Sequence, residues 1–198
     1  MRELRRRLRP RPRTDDGLTL VELLVVMIIF SAVLAMTYSV LITVQKQTRD
    51  TTSRAEAVGE ARLALQQIDR QVRSGNVLTP LGLQLQVYTQ ANGVQRCVEW
   101  EVDTTTKELR TRSWSPTWTT DGLVSGWSVV ARDVVNTSTT PPFKVPAGSS
   151  FGTRLVDIEL LVKSPTAGGD PIDVSSSLSG RNTAYGYDPS TCTPAPPA

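Results

Sequence analysis

Between Leu23 and Ile42 the chain runs for twenty residues without a charge, interrupted only by Ser31, Thr37, Tyr38 and Ser39. That is the length one helix needs to cross a bilayer. Past it the apolar positions take a helical period: Val58, Ala61, Leu65, Ile68 and Val72 recur at spacings of 3, 4, 3 and 4, with Arg54, Glu56, Glu60, Arg62, Asp69, Arg70 and Arg73 mostly on other faces. One apolar stripe on a polar rod predicts a helix laid along one side of a domain. No proline interrupts residues 43–76, and Gly75 with Asn76 is a stop signal. One helix of about 57 residues, roughly 85 Å long, is therefore expected from Leu18 to Ser74. The threonine-rich stretch from Thr48 to Ser53 and Gly59 are its weak points.

After Gly75 the period becomes two. "LQLQVYT" (83–89) and "VQRCVEWEVD" (94–103) flank Asn92-Gly93, a hairpin signal. Val94, Arg96, Val98, Trp100 and Val102 share one face of the second of these strands; Cys97, Glu99 and Glu101 share the other, polar face. "KELRTRSW" (107–114), "WSVVARDVV" (127–135) and "RLVDIELLVKS" (154–164) are the remaining strand candidates. A long helix followed only by strands predicts an α+β fold, with an antiparallel sheet laid on the helix's apolar stripe. The plan is a basic leader over 1–17, an apolar helical segment over 18–44 and an amphipathic continuation over 45–75. An antiparallel sheet domain follows over 76–164. A loop and tail rich in Gly, Ser and Pro fill 165–198, with one edge strand near Ile172 to Leu178.

Charge adds an orientation. Residues 1–17 hold Arg2, Arg5, Arg6, Arg7, Arg9, Arg11 and Arg13 against Glu3, Asp15 and Asp16, a net of +4. The other 181 residues therefore carry −1 of the chain's +3. The basic balance belongs to a leader and not to the folded body, which removes the usual compositional argument for nucleic acid. A basic leader ahead of an apolar run reads as an export signal whose charges stay in the cytoplasm. Everything after about Val44 then lies outside, where disulfides persist. Cys97 and Cys192, the only two cysteines, are a candidate pair, two free thiols being the alternative.

Against this background Glu22 is out of place. A carboxylate in an apolar helix costs roughly 2.5 to 3.5 kcal/mol at the centre of a bilayer and calls for a partner. Thr19-x-x-Glu22 has capping-box spacing, so a purely local role is one reading. An ordinary secretory signal cut near Val33-Leu34-Ala35 is another, although the apolar run continues past Ala35 and this reading leaves Glu22 unexplained.

The run Gly17, Leu18, Thr19, Leu20, Val21, Glu22 followed by a long apolar stretch resembles the class III signal of type IV pilins and type II secretion pseudopilins, densely so over residues 15–44. The resemblance implies cleavage by a prepilin peptidase between Gly17 and Leu18, and N-methylation of Leu18. It places Glu22 fifth in the mature chain, as an assembly residue. Most relatives begin the mature chain with Phe or Met, from which Leu18 departs. The physics agrees: in a bundle of apolar helices, a buried carboxylate needs a cation and a free amine needs a carboxylate. Glu22 of one subunit can meet the Leu18 ammonium of its neighbour. The resemblance also implies a disulfide-stapled C-terminal loop, although Cys97 stands earlier than usual for one. That departure points to a minor pilin or pseudopilin over a major one, and the long helix, the mid-sized sheet domain and "SLSGRN" (177–182) make the overall plan resemble the minor pilin W and pseudopilin J group.

Enzymatic chemistry is poorly provided for. The chain has no histidine, and no G-x-S-x-G, P-loop or C-x-x-C pattern occurs. No cofactor is expected; Asp170, Asp173 and Asp188 in the last loops are the only candidates for calcium. Trp114, Trp118 and Trp127 read as sheet packing before ligand stacking, and Arg110 with Arg112 as a solvated edge or subunit contact. The expectation is a non-catalytic minor pilin or pseudopilin. It is first a single-pass inner-membrane protein with its N-terminus inside and its domain outside, and then part of a pilus or pseudopilus. Its expected partners are prepilin peptidase, other pilin subunits through the N-terminal helix, and inner-membrane lipid, with nucleic acid not expected. The alternative is a membrane-anchored extracytoplasmic module that binds a surface or DNA.

Overall fold

The period-3.6 stripe forms one wall of the core. In a computed structural model, residue 17 and residues 19–90, 93–146, 155–164, 166, 168–180 and 188–197 are described. The first element is a single helix, α1 (Leu20–Ser74). The chain divides into two compact units, Met1–Lys46 and Gln47–Ala198. In the second unit α1 buries Ala57, Ala61, Ala64, Leu65, Ile68 and Val72, which is the expected stripe with two alanines added. Val58, expected at its centre, is only partly buried at its margin.

Among the described residues eight strands follow: β1 (Gly75–Leu81), β2 (Gln84–Thr89), β3 (Arg96–Asp103), β4 (Glu108–Trp114), β5 (Ser128–Ala131), β6 (Phe143–Lys144), β7 (Leu155–Val162) and β8 (Ile172–Ser179). A one-turn helix, α2 (Trp118–Asp121), lies between β4 and β5. The strands form two antiparallel sheets, β1-β2-β3-β4-β5 and β6-β7-β8, where the sequence pattern predicted one. The fold is α+β, a long helix packed on antiparallel sheets.

Two further differences have physical causes. The strand expected over 127–135 is paired only at Ser128–Ala131, and Val134 instead bridges to Val162 of the other sheet. β1 was not expected, because Gly75 and Asn76 read as a stop; the chain stops the helix there and enters a strand with no loop between. Gly75 makes this possible: a Cβ at that position would run into the Tyr88 carbonyl and the Val87 side chain. β8 is the edge strand expected near Ile172 to Leu178, paired with β7 along its length at the edge of the smaller sheet. Of the β2–β3 turn, Gly93 takes a left-handed φ of 75°, while Asn92 lies outside the described residues.

The core joins α1 to both sheets. Leu85, Val87, Val98, Trp100, Val102 and Leu109 come from the larger sheet and Phe143, Val156, Ile158, Leu160, Val162, Val174 and Leu178 from the smaller. Polar ties fix the helix over them. The Trp100 indole N–H donates to Gln71 Oε1 at 2.7 Å, the Arg132 amide donates to Glu60 Oε2 at 3.0 Å, and the Ser53 and Ser164 hydroxyls lie 2.7 Å apart. Buried Asn136 holds the β5–β6 connection to β7 by donating to the carbonyls of Thr140 and Glu159 and accepting from the Leu161 amide.

Two glycines of this region should respond with opposite signs. Gly59, inside α1 with open space where a Cβ would sit, should be stabilised by alanine by about 0.4 to 1 kcal/mol through the unfolded state. Gly75→Ala should cost about 1 to 3 kcal/mol, because strand and helix end must part to admit a methyl. Denaturant unfolding of the detergent-solubilised chain reads both, and a neutral Gly75→Ala would contradict the direct helix-to-strand junction.

Candidate processing and assembly site

Among its described residues the first unit presents an apolar helix surface with one charge, Glu22, at its head. Thr19 starts α1: its hydroxyl accepts the Glu22 amide at 3.2 Å and its carbonyl accepts the Leu23 amide at 3.1 Å. Glu22 thus sits at the third helical position, where a capping box would return its carboxylate to the backbone. Among the described residues that carboxylate takes no hydrogen bond and no ion pair. The cap is half made, and the charge is left over. Gly17 is exposed, with open space around it; Leu18, the other half of the expected cleavage site, lies outside the described residues.

From Leu20 to Val44 every large apolar side chain is exposed, Leu20 by 80% and Met36 by 70%. The helix contains an 18-residue window of mean hydropathy 2.6 with none of it buried, long and apolar enough to cross a membrane. Its serine and threonine hydroxyls past Leu20 are already satisfied. Ser31 donates to Met27 O, Thr37 to Val33 O, Ser39 to Met36 O and Thr43 to Ser39 O, all within 2.7–2.9 Å. Such back-bonding removes the cost these groups would carry in hydrocarbon, which leaves Glu22 as the one charged side chain without a partner among the described residues from Leu20 to Val44, with the Tyr38 hydroxyl as the other unbonded polar group.

At the far end of the chain, the structure brings Cys97 and Cys192 together as a disulfide with Cα atoms 5.7 Å apart. Leu78, Tyr88 and Trp114 pack around it as a second, smaller core on the sheet face away from α1, so Cys97 is buried and its strand face is not solvated. The tail is held there by more than sulfur. The Trp118 indole donates to Pro194 O at 2.7 Å and Arg112 donates to Pro197 O at 2.9 Å. Asp188 starts the short turn Pro189–Cys192 by accepting the Ser190 amide. That hydrogen bond, with one from the Ser190 hydroxyl, holds the Asp188 carboxyl below its ordinary pKa. The turn is therefore supported above the usual carboxylate range, and that support is lost as the pH falls through the depressed value.

Arg110 and Arg112, expected as a solvated edge or a subunit contact, are paired and covered within the domain. Arg112 meets Glu99 at 2.8 Å with both side chains nearly buried, and Arg110 meets Glu101 and Asp103, each at 3.0 Å. Trp127 lies over both guanidinium groups, each 4.4 Å from the ring centroid. The alternation of opposite charges on β3 and β4 puts the partners directly in register, Glu99 against Arg112 and Glu101 against Arg110. The sequence contained this signal, but only register reveals it. For calcium, no group of three or more acidic, cysteine or histidine side chains able to hold a metal ion occurs among the described residues, Asp170, Asp173 and Asp188 included.

The buried pair and the staple make separable predictions. Glu99→Gln should destabilise the domain by about 3 to 5 kcal/mol by leaving Arg112 buried without its countercharge, whereas exposed Arg73→Gln, which breaks a surface pair with Asp69, should cost under about 1 kcal/mol. Thermal unfolding compares the two. Reduction of the disulfide should lower stability by roughly 4 to 5 kcal/mol in the chain-entropy model, read as a loss of denaturation midpoint on adding reductant. An unchanged midpoint would mean the tail contributes nothing to the folded state.

The comparisons bear on the first of these two regions. No curated protein and no solved structure matches the chain. The prokaryotic N-terminal methylation motif matches residues 12–38, the stretch that holds Gly17, Glu22 and the first half of the exposed apolar helix, and it marks this N-terminus as that of a type IV pilin-like substrate of prepilin peptidase.

Proposed function

We propose that the chain is a minor pilin or pseudopilin, a non-catalytic subunit cut between Gly17 and Leu18, N-methylated on Leu18 and assembled into a type IV pilus or a type II secretion-like pseudopilus. One observation carries this reading: a helix exposes about seven turns of apolar surface, from Leu20 to Val44, behind a single carboxylate that its own cap leaves unused. Lipid covers that surface before assembly and neighbouring helices cover it afterwards. In the second setting Glu22 of one subunit meets the Leu18 ammonium of the next. The pair fixes axial register between rods that hydrophobic contact alone would let slide.

Glu22→Gln tests the charge directly. Glutamine keeps the shape and capping capacity of Glu22 but not its charge, so the variant should insert and be processed, and should be largely missing from sheared filament fractions. The neighbour's ammonium would be left unpartnered, at a cost on the order of 3 to 5 kcal/mol. Normal incorporation of the glutamine form would refute pairing. Gly17→Ala should leave the leader attached, seen as an unshifted mass of the N-terminal peptide; normal processing would place the cut elsewhere.

A further inference from the structure

Two hollows adjoin at the end of the larger sheet. The first, about 280 Å³, is lined by Val94, Trp114, Leu123 and Val124 with Gln95 and several serines; Val94, Leu123 and Val124 are exposed on its rim. The second, about 630 Å³, runs beneath the end of α1 and is lined by Arg70, Ser74, Thr111, Ser113 and Ser128 among others. Arg96, Ser113 and Ser125 line both hollows. No carboxylate lines either one.

The inventory of donors and acceptors is one-sided. Arg70 and Arg96 have no ion pair and no side-chain hydrogen bond among the described residues, whereas Arg73, Arg110 and Arg112 are each paired. The hydroxyls of Ser113, Ser125 and Ser128 donate to nothing among the described residues; Ser125 Oγ only accepts, from the Ser113 amide. Two guanidinium groups and three free hydroxyl donors facing one space recognise a group that only accepts, an oxyanion. The adjoining hollow has an aliphatic rim and suits a single aliphatic side chain. A nucleic acid would need cations tracking a backbone, and the chain outside its leader carries a net −1. Stacking of a base or sugar would need an open aromatic face, and Trp114, the only aromatic lining, is buried.

We infer that this composite groove binds an extended acidic peptide segment of a partner protein, with an aliphatic side chain seated against Val94, Leu123 and Val124 and a neighbouring aspartate or glutamate held by Arg96 and Arg70. Charge and shape then divide the work: the guanidinium groups select the carboxylate, and the small hollow fixes its position along the segment.

The test uses the full chain in nanodiscs with ¹⁵N-labelled tryptophan, and the probe is the blocked peptide acetyl-Ser-Gly-Leu-Asp-Gly-Ser-amide. Trp114 lines the small hollow, so its indole N–H resonance, assigned by its loss in Trp114→Phe, should shift saturably on titration. Replacing the peptide's Asp by Asn, or its Leu by Ser, should weaken binding about tenfold or more. Arg96→Gln and Arg70→Gln should each do the same, with the buried Trp100 resonance unchanged as a sign that the fold is intact. Arg62→Gln, outside both hollows, should have no effect. Equal binding of the Asn peptide, or no saturable shift at all, would overturn the proposal. Inorganic phosphate binding as tightly as the peptide would also overturn it, because the aliphatic anchor would then be idle.

Discussion

Backbone hydrogen bonding within one uninterrupted helix is the constraint on which the rest depends. A segment that must enter hydrocarbon has no other way to satisfy its amides, so the apolar run from Leu20 onward is helical before any packing is considered. The helix continues past Lys46 into the second unit, and its 3.6-residue period then decides which residues can face a sheet. Ala57, Ala61 and Ala64 fall on that face, where small side chains allow strands to approach closely. Leu65, Ile68 and Val72 follow one turn apart and supply the bulk of the helix's buried surface. One element thus meets two solvents: in the first unit all its faces are apolar and exposed, and in the second a single stripe is buried.

What could be read from sequence follows from how local its cause is. The helix, its stripe and its end at Ser74 depend on neighbours three or four residues away, and a period of that kind is visible in one dimension. Strands β2, β3, β4 and β7 were visible for the same reason, since their alternation is local: β7 buries every second residue, Val156, Ile158, Leu160 and Val162. The division into two sheets was not visible, because it depends on Val134 leaving the first sheet and bridging to Val162. β1 was hidden by its own glycine. Gly75 reads as a stop because it ends a helix, yet the reason for glycine there is the close approach of Tyr88 and Val87, which no local pattern records.

The candidate site divides in the same way. Glu22 could be singled out because an acidic residue in an apolar run is anomalous on its face, and Gly17 only through the resemblance of the run it begins; the half-made cap at Thr19 sharpens the anomaly by leaving the carboxylate unused. Arg110 and Arg112 were misjudged because charge on a strand is ambiguous until register is known. With Glu99 opposite Arg112 and Trp127 laid over both arginines, Arg112 becomes interior and Arg110 partly covered.

That burial has a consequence for which surfaces remain open. A buried ion pair is tolerable only when its remaining donors are satisfied, and Arg112 meets this condition by reaching the Pro197 carbonyl. The tail must therefore lie across the outer face of β3 and β4, and the bond from Cys97 to Cys192 and the Trp118 contact with Pro194 keep it there. Closing this face uses the charges of β3 and β4 internally, since Glu99, Glu101, Asp103, Arg110 and Arg112 are all consumed by one another. Arg70, on α1, and Arg96, on the face of β3 toward α1, stand apart from that network, and among the described residues no carboxylate pairs with either. The pairing that makes the outer face inert thus does not extend to the hollow beneath the end of α1, which Arg70 and Arg96 line without a countercharge among the described residues.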